Sequence, residues 1–173
     1  MDRLVPSLII SLVILIIFGL MIYGWASRRR RQAGITAPTP VPTEIGSATL
    51  AADGWYVATT RADQPLERIA VHGLGFRAHV AVSVHAEGVV FAVRGIQPFW
   101  VTRAALRGAG RATWAIDRVV ERDGLVLMGW LLGDEPVDTY LRLPDPADAT
   151  ALLSALQAMT PTAAPKPAEG LAS

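Results

Sequence analysis

Residues 4–25, LVPSLIISLVILIIFGLMIYGW, run for 22 positions without a charged side chain. No other feature constrains this chain as much. A helix rises about 1.5 Å per residue, so the stretch measures roughly 33 Å, enough to cross a hydrocarbon layer about 30 Å thick. A helix also satisfies its own backbone hydrogen bonds, which lipid cannot do for it. Pro6 falls in the first turn, where a missing N–H costs little. Tyr23 and Trp25 stand at the exit, at the depth where amphipathic rings favour the headgroups. A cleaved secretory signal wants a basic start, a shorter apolar run and a small-residue cleavage site; here the start is Met1-Asp2-Arg3 and the exit is Trp25-Ala26-Ser27. A buried core helix rarely remains uncharged on every face for so long. The reading is a transmembrane helix over residues 4–25.

The flanks orient it. Arg28, Arg29, Arg30 and Arg31 follow the helix, while Asp2 offsets Arg3 on the other side. Positive charge stays in the cytoplasm, so everything after the arginines is expected there, on a single-pass cell-membrane protein. The same arginines lie where anionic headgroups concentrate. Ser7 and Ser11 form a small-xxx-small pair, a weak dimerisation signal that leaves the oligomeric state open. A single span encloses no pathway, so transport would require partners.

Residues 26–52 read as a polybasic flank and a spacer, with Pro38, Pro40 and Pro42 alternating with small residues. The Pro- and Ala-rich residues 161–173 read as a disordered tail. Between them, residues 53–160 are long enough for one domain. From 53 to 160 ten arginines face twelve acidic residues, a net of −2, which offers no basic face for nucleic acid. There is no cysteine, so disulfides and thiolate metal sites are excluded.

The domain is β-patterned and punctuated by glycine. Strands are expected over 55–61, 67–72, 77–85, 89–94, from 99 after Pro98, 113–122, 125–132 and 137–143. The clearest is 77–85, where Val80, Val82 and Val84 share one face and His79, Ala81, Ser83 and His85 the other. Asp123-Gly124 predicts a hairpin into the wholly apolar LVLMGWLL. The period then changes. Asp145 is an N-cap, Pro146 opens a helix, and Ala149, Leu152, Leu153, Leu156 and Met159 make one apolar face. A single terminal amphipathic helix most simply covers the open end or edge of the sheet. The fold class is therefore mainly β: an N-terminal transmembrane helix, then an antiparallel barrel or sandwich of seven or eight strands capped by one C-terminal helix.

No catalytic constellation stands out, and neither an enzyme nor a cofactor is expected. His79 and His85 are six strand residues apart, about 20 Å, too far to share a metal. Ser83 and His85 lack a nucleophile elbow. Gly73 to Phe76, GLGF, lacks nucleotide-loop spacing and reads as a turn needing positive φ. The tryptophans in strands, Trp55, Trp114 and Trp130, read as core or interface material. Two surface candidates remain. Arg107 and Arg111 flank a glycine-rich loop, RGAGR, that can cradle an anion. Asp138, Tyr140 and Arg142 share one strand face as a polar stripe suited to a protein partner.

Three segments, RIAVHGLGFR (68–77), DGL (123–125) and GDEPVDTYLR (133–142), resemble a family of small actinobacterial single-pass membrane proteins with a bacterial pleckstrin-homology-like (PH-like) domain. The helix-linker-domain layout is similar as well. The resemblance implies a PH-like fold, frequent encoding beside pyrimidine-biosynthesis genes, and a loose association with export, with no activity attached. The anchor and the domain together lead to the expectation of a membrane-tethered binding or scaffolding module. Its partners are expected to be the bilayer and a protein at the membrane; a lipid-headgroup binder or an accessory subunit of an export complex are the alternatives.

Overall fold

The computed structural model describes residues 4–112, 114–115, 118–119 and 124–160, in two compact units, Met1–Gly34 and Ile35–Ser173. The expected tail, 161–173, lies outside the described residues, as does Asp123 of the expected hairpin turn.

The first unit is one helix, α1 (Leu4–Arg31), 28 residues and roughly 42 Å long. Its segment Pro6–Ser27 is long and apolar enough to cross a membrane. Large apolar side chains from Leu8 to Trp25 are exposed all round the helix, so it has no single core-facing stripe. The helix does not stop at residue 25 as expected. Arginine is a good helix former and its charge complements the negative end of the helix dipole, so the basic block continues the helix through Arg31.

The second unit contains β1 (Thr39–Pro40), β2 (Leu50–Arg61), β3 (Gln64–Arg68), β4 (Ala78–His85), β5 (Gly88–Val93), β6 (Phe99–Thr102), a 3₁₀ turn (Arg103–Ala105), β7 (Leu106–Ala112), β8 (Trp114–Ala115), β9 (Arg118–Val119), β10 (Leu125–Leu132), β11 (Glu135–Arg142) and α2 (Pro146–Met159). Nine strands form one sheet in the order β1-β6-β5-β4-β2-β11-β10-β7, with β3 also on β2; β8 and β9 pair as a separate ribbon. The described pairings are all antiparallel. Strand β2 is the corner of the sheet. Its first half pairs with β4 and its second with β11, and a register shift beside Tyr140 and Leu141 marks the bend.

The alternation of β4 carries Val80, Val82 and Val84 into the core. There Phe91 stacks on Phe99 at 5.1 Å, and Phe99 on Trp130 at 6.0 Å, joining β5 and β6 to β10. Polar groups in this interior are satisfied in series. Trp130 Nε1 donates to Thr139 Oγ1 (2.8 Å), Thr139 and Thr59 share a hydrogen bond (2.6 Å), Thr59 and Tyr56 another (2.5 Å), and the Tyr56 hydroxyl donates to the Leu74 carbonyl (2.9 Å). With every hydroxyl donating toward Leu74, each donates once and accepts once, so the chain closes without an orphan. Burial pushes the Tyr56 hydroxyl well above its usual range, against the smaller effect of its bond to Thr59. Helix α2 is capped as expected: Ala147 N–H donates to Asp145 Oδ1 (2.7 Å), and Ala149, Leu152, Leu156 and Met159 are buried against the sheet.

Three expectations are corrected. The segment before β2 is not a free spacer. Ile35 is buried in the core, Thr39–Pro40 pairs with Trp100 and Phe99, and Thr49 N–H donates to the Val84 carbonyl (2.8 Å). Proline is tolerated here because β1 is the edge of the sheet. The strand expected at 67–72 lies earlier, at Gln64–Arg68. Residues after it turn back so that Ile69 N–H reaches the Thr59 carbonyl and the Leu74 carbonyl receives Thr59 N–H, both at 2.9 Å. The hairpin into β10 starts from β7, Leu125 lying opposite Ala112; within the expected strand 113–122, the described residues 114–115 and 118–119 pair with each other instead.

Candidate functional site

The polar stripe of β11 divides in two. Asp138 and Tyr140 turn to the outer face of the sheet, but Tyr140 is buried in a small cluster with Leu125 and Leu127, flanked by Val57 and Ala112. Asp138 lies over Gly129 and accepts a hydrogen bond from Asp63 N–H (3.3 Å). Desolvation raises the Asp138 carboxyl above its ordinary value of 3.8; the Asp63 N–H acts against it, the Asp63 charge adds to it, and Arg107 lowers it. Desolvation, and then the Asp138 charge, also raise the Tyr140 phenol, while the Thr60 hydroxyl lowers it. Asp138 is half withdrawn from water and Tyr140 is buried, and both are committed to neighbours in the fold. Arg142 stands apart from them, exposed and opposite Trp55 of β2.

The expected anion loop is a correction. Residues 107–111 are not a loop but the body of β7. Gly108 pairs with Gly129 and Leu106 with Trp130, which leaves Arg107 as the extra residue of a bulge. Arg107 Cβ lies 3.9 Å from where a Cβ on Gly129 would stand, on the Asp138 side. Arg111 instead donates from Nη2 to Thr150 Oγ1 of α2 (2.7 Å). The two guanidinium groups therefore serve opposite faces of the strand and do not converge on one anion.

A cluster absent from the sequence reading appears where β2 meets β4. Trp55, expected as core or interface material, is 40% exposed. The Arg77 guanidinium lies 4.9 Å from its ring centroid, and His79 meets it edge-on at 5.7 Å. Arg142 is across the β2–β11 pair on the same surface. Phe76, 63% exposed, precedes Arg77. The signal was present in the alternation: Tyr56 is inward, so its neighbour Trp55 must be outward.

The histidines have structural partners. His85 is buried; its Nε2 lies 3.0 Å from Ser83 Oγ and its Nδ1 3.1 Å from the Gly46 carbonyl, with the ring edge-on to Trp100. His72 sits at φ +56° and its Nε2 lies 2.8 Å from the Ile35 carbonyl. Two histidines thus hold carbonyls of the segment that leads into β2. No group of three or more His, Asp or Glu side chains suited to a metal occurs among the described residues. On α1, Tyr23, Trp25, Arg30 and Arg31 are exposed; the side chains of Arg28 and Arg29 lie outside the described residues.

The corner strand, the antiparallel sheet and the terminal helix define a PH-like domain, a class typically used for binding rather than catalysis. The chain belongs to the bacterial PH domain-like family, whose model matches residues 35–157. No enzymatic family is indicated, and no curated protein matches the chain. The family match begins at the residue where the compact unit begins, and both start well before residue 53.

Proposed function

We propose that this protein is a single-span, membrane-tethered binding module whose PH-like domain works on the cytoplasmic side and recruits or positions a protein partner at the membrane. The observation that carries the reading is α1: a helix with Pro6–Ser27 apolar and exposed on every side, ending in four consecutive arginines and followed by a binding-class domain. Apolar surface of that extent is stable in lipid, not in water. The arginines orient it. Tethering confines the domain to a thin layer, which raises its effective concentration for any partner in or on that leaflet.

Protease added outside intact spheroplasts is expected to spare the β domain and to digest it after lysis. Digestion before lysis would place the domain on the other side and sink the cytoplasmic part of the proposal. Recovery of the full chain in the alkaline-carbonate supernatant would sink the membrane part. Proximity labelling from the C-terminus then identifies the partner; enrichment of soluble bulk proteins only, with no membrane-associated protein, would count against recruitment at the leaflet.

A further inference from the structure

Resting on that reading of a protein partner, we infer that the outer face of the sheet, across β11, β2, β4 and the end of β5, is the surface on which the partner docks, and that it docks with an acidic segment. The surface is built by register. Leu141, Tyr56, Val80 and Val93 are buried in the core, so the residue beside each of them along the chain faces outward. Arg142 lies opposite Trp55, Trp55 opposite His79, and Arg94 N–H donates to the His79 carbonyl (2.9 Å). Arg142, Trp55, His79 and Arg94 therefore stand in one row across the sheet, roughly 14 Å long at about 4.7–4.9 Å per strand. All four are exposed. Arg77 adds a third guanidinium, 4.9 Å from the Trp55 ring centroid.

Charge decides what this row can meet. Residues 53–160 have a net charge of −2, yet three exposed arginines gather here. None of the three is ion-paired to a described residue, whereas Arg61 holds Glu67 and Glu135. A guanidinium grips a carboxylate through two parallel hydrogen bonds, so the row fits aspartate or glutamate side chains. Asp53 is exposed two residues along β2 on the same side. A nucleic acid or an anionic leaflet spreads negative charge over Asp53 as well as over the arginines. A protein segment sets its carboxylates over the arginines alone and leaves Asp53 clear.

Trp55 supplies the apolar part of the surface. Its ring is fixed by Arg77 on its face and by His79, which meets it edge-on at 5.7 Å. A large ring already held in place gives contact area at little ordering cost. Tryptophan and arginine are also the side chains in which interfaces concentrate their binding energy. The segment that fits is therefore acidic with at least one aromatic or aliphatic residue for Trp55.

The test uses the full chain in nanodiscs of phosphatidylcholine, which carry no net charge, and a displayed library of random short peptides as the probe. Peptides enriched over empty discs are expected to be acidic and to carry an aromatic or aliphatic residue. Their affinity is expected to fall about tenfold or more when Arg77→Glu and Arg142→Glu are combined, and severalfold in Trp55→Ala. Arg103→Glu, exposed in the 3₁₀ turn and off the row, is expected to leave it unchanged, and matched thermal melts confirm that the variants fold. Neutral or basic selected peptides, no enrichment, an equal loss in Arg103→Glu, or no response to the reversals overturns the inference. Displacement of the peptide by phosphatidylglycerol vesicles also overturns it, because the row is then a lipid surface. Self-association of the chain that the reversals abolish, without peptide binding, assigns the row to a second copy and overturns it too. A membrane-associated partner still found by proximity labelling after any of these results leaves recruitment standing and removes only this surface. A chain that stays out of nanodiscs is the failure of the membrane reading, and takes the inference with it.

Discussion

Each side chain on β11 is read by which face it meets. Thr139 points inward, where it accepts from Trp130 and bonds Thr59. Thr139→Val keeps the shape but strands the buried Trp130 N–H. The domain is expected to lose about 1–3 kcal/mol in urea unfolding, the cost of a buried polar group without a partner; an unchanged midpoint would show that water replaces the hydroxyl. Asp138 points outward but is half-withdrawn from water, and its carboxyl is raised above its ordinary value. In the window between the unfolded and the raised folded value, the folded state binds more protons than the unfolded state. Stability therefore falls as pH rises through that window. Asp138→Asn removes this slope, so the variant should gain on the parent as pH rises through the window and hold that gain above it. Parallel stability-pH curves for the two proteins would refute the assignment. Alternation puts Asp138 and Tyr140 on the same side of the strand, yet it cannot say that Tyr140 is covered by Leu125 and Leu127, because those contacts come from a neighbouring strand.

Elements repeat the lesson with larger pieces. The cap and apolar face of α2 were legible because both are local: Asp145 reaches Ala147, and helical spacing puts Ala149, Leu152 and Leu156 on one side. The glycines of RGAGR read as a loop by composition, but pairing with β10 makes them a strand, and the bulge at Arg107 is a property of two strands together. The leader was misread for a related reason. Proline and threonine lack an amphipathic period, so nothing local reveals that Ile35 enters the core and Thr39 finds an edge partner. A direct comparison of fragments 35–160 and 53–160 tests this. The shorter one loses Ile35, whose burial alone is worth about 1.5–3 kcal/mol, and also the pairing of Leu50, Ala51 and Ala52 with β4. It is expected to unfold at much lower denaturant or to fail to fold; equal stability would return the leader to the status of a spacer.

At the scale of the whole chain, topology and tether act together. Replacing Arg28 through Arg31 with glutamates removes the charge that holds the C-terminal side in the cytoplasm, so a C-terminal reporter is expected to shift outward in a substantial fraction of molecules. An unshifted reporter would mean that domain folding, not charge, sets the orientation. The sequence by itself determined the apolar span, the basic exit, the β periodicity and the terminal helix. Each of these is written in neighbouring residues through charge, hydropathy or a period of two or 3.6. Only the tertiary structure decided that Arg107 and Arg111 part company, that Trp55 lies under Arg77 on the surface, and that the leader belongs to the domain. Register, bulges and core entry are set by partners far away in the chain, and a one-residue shift in any of them sends every following side chain to the other face.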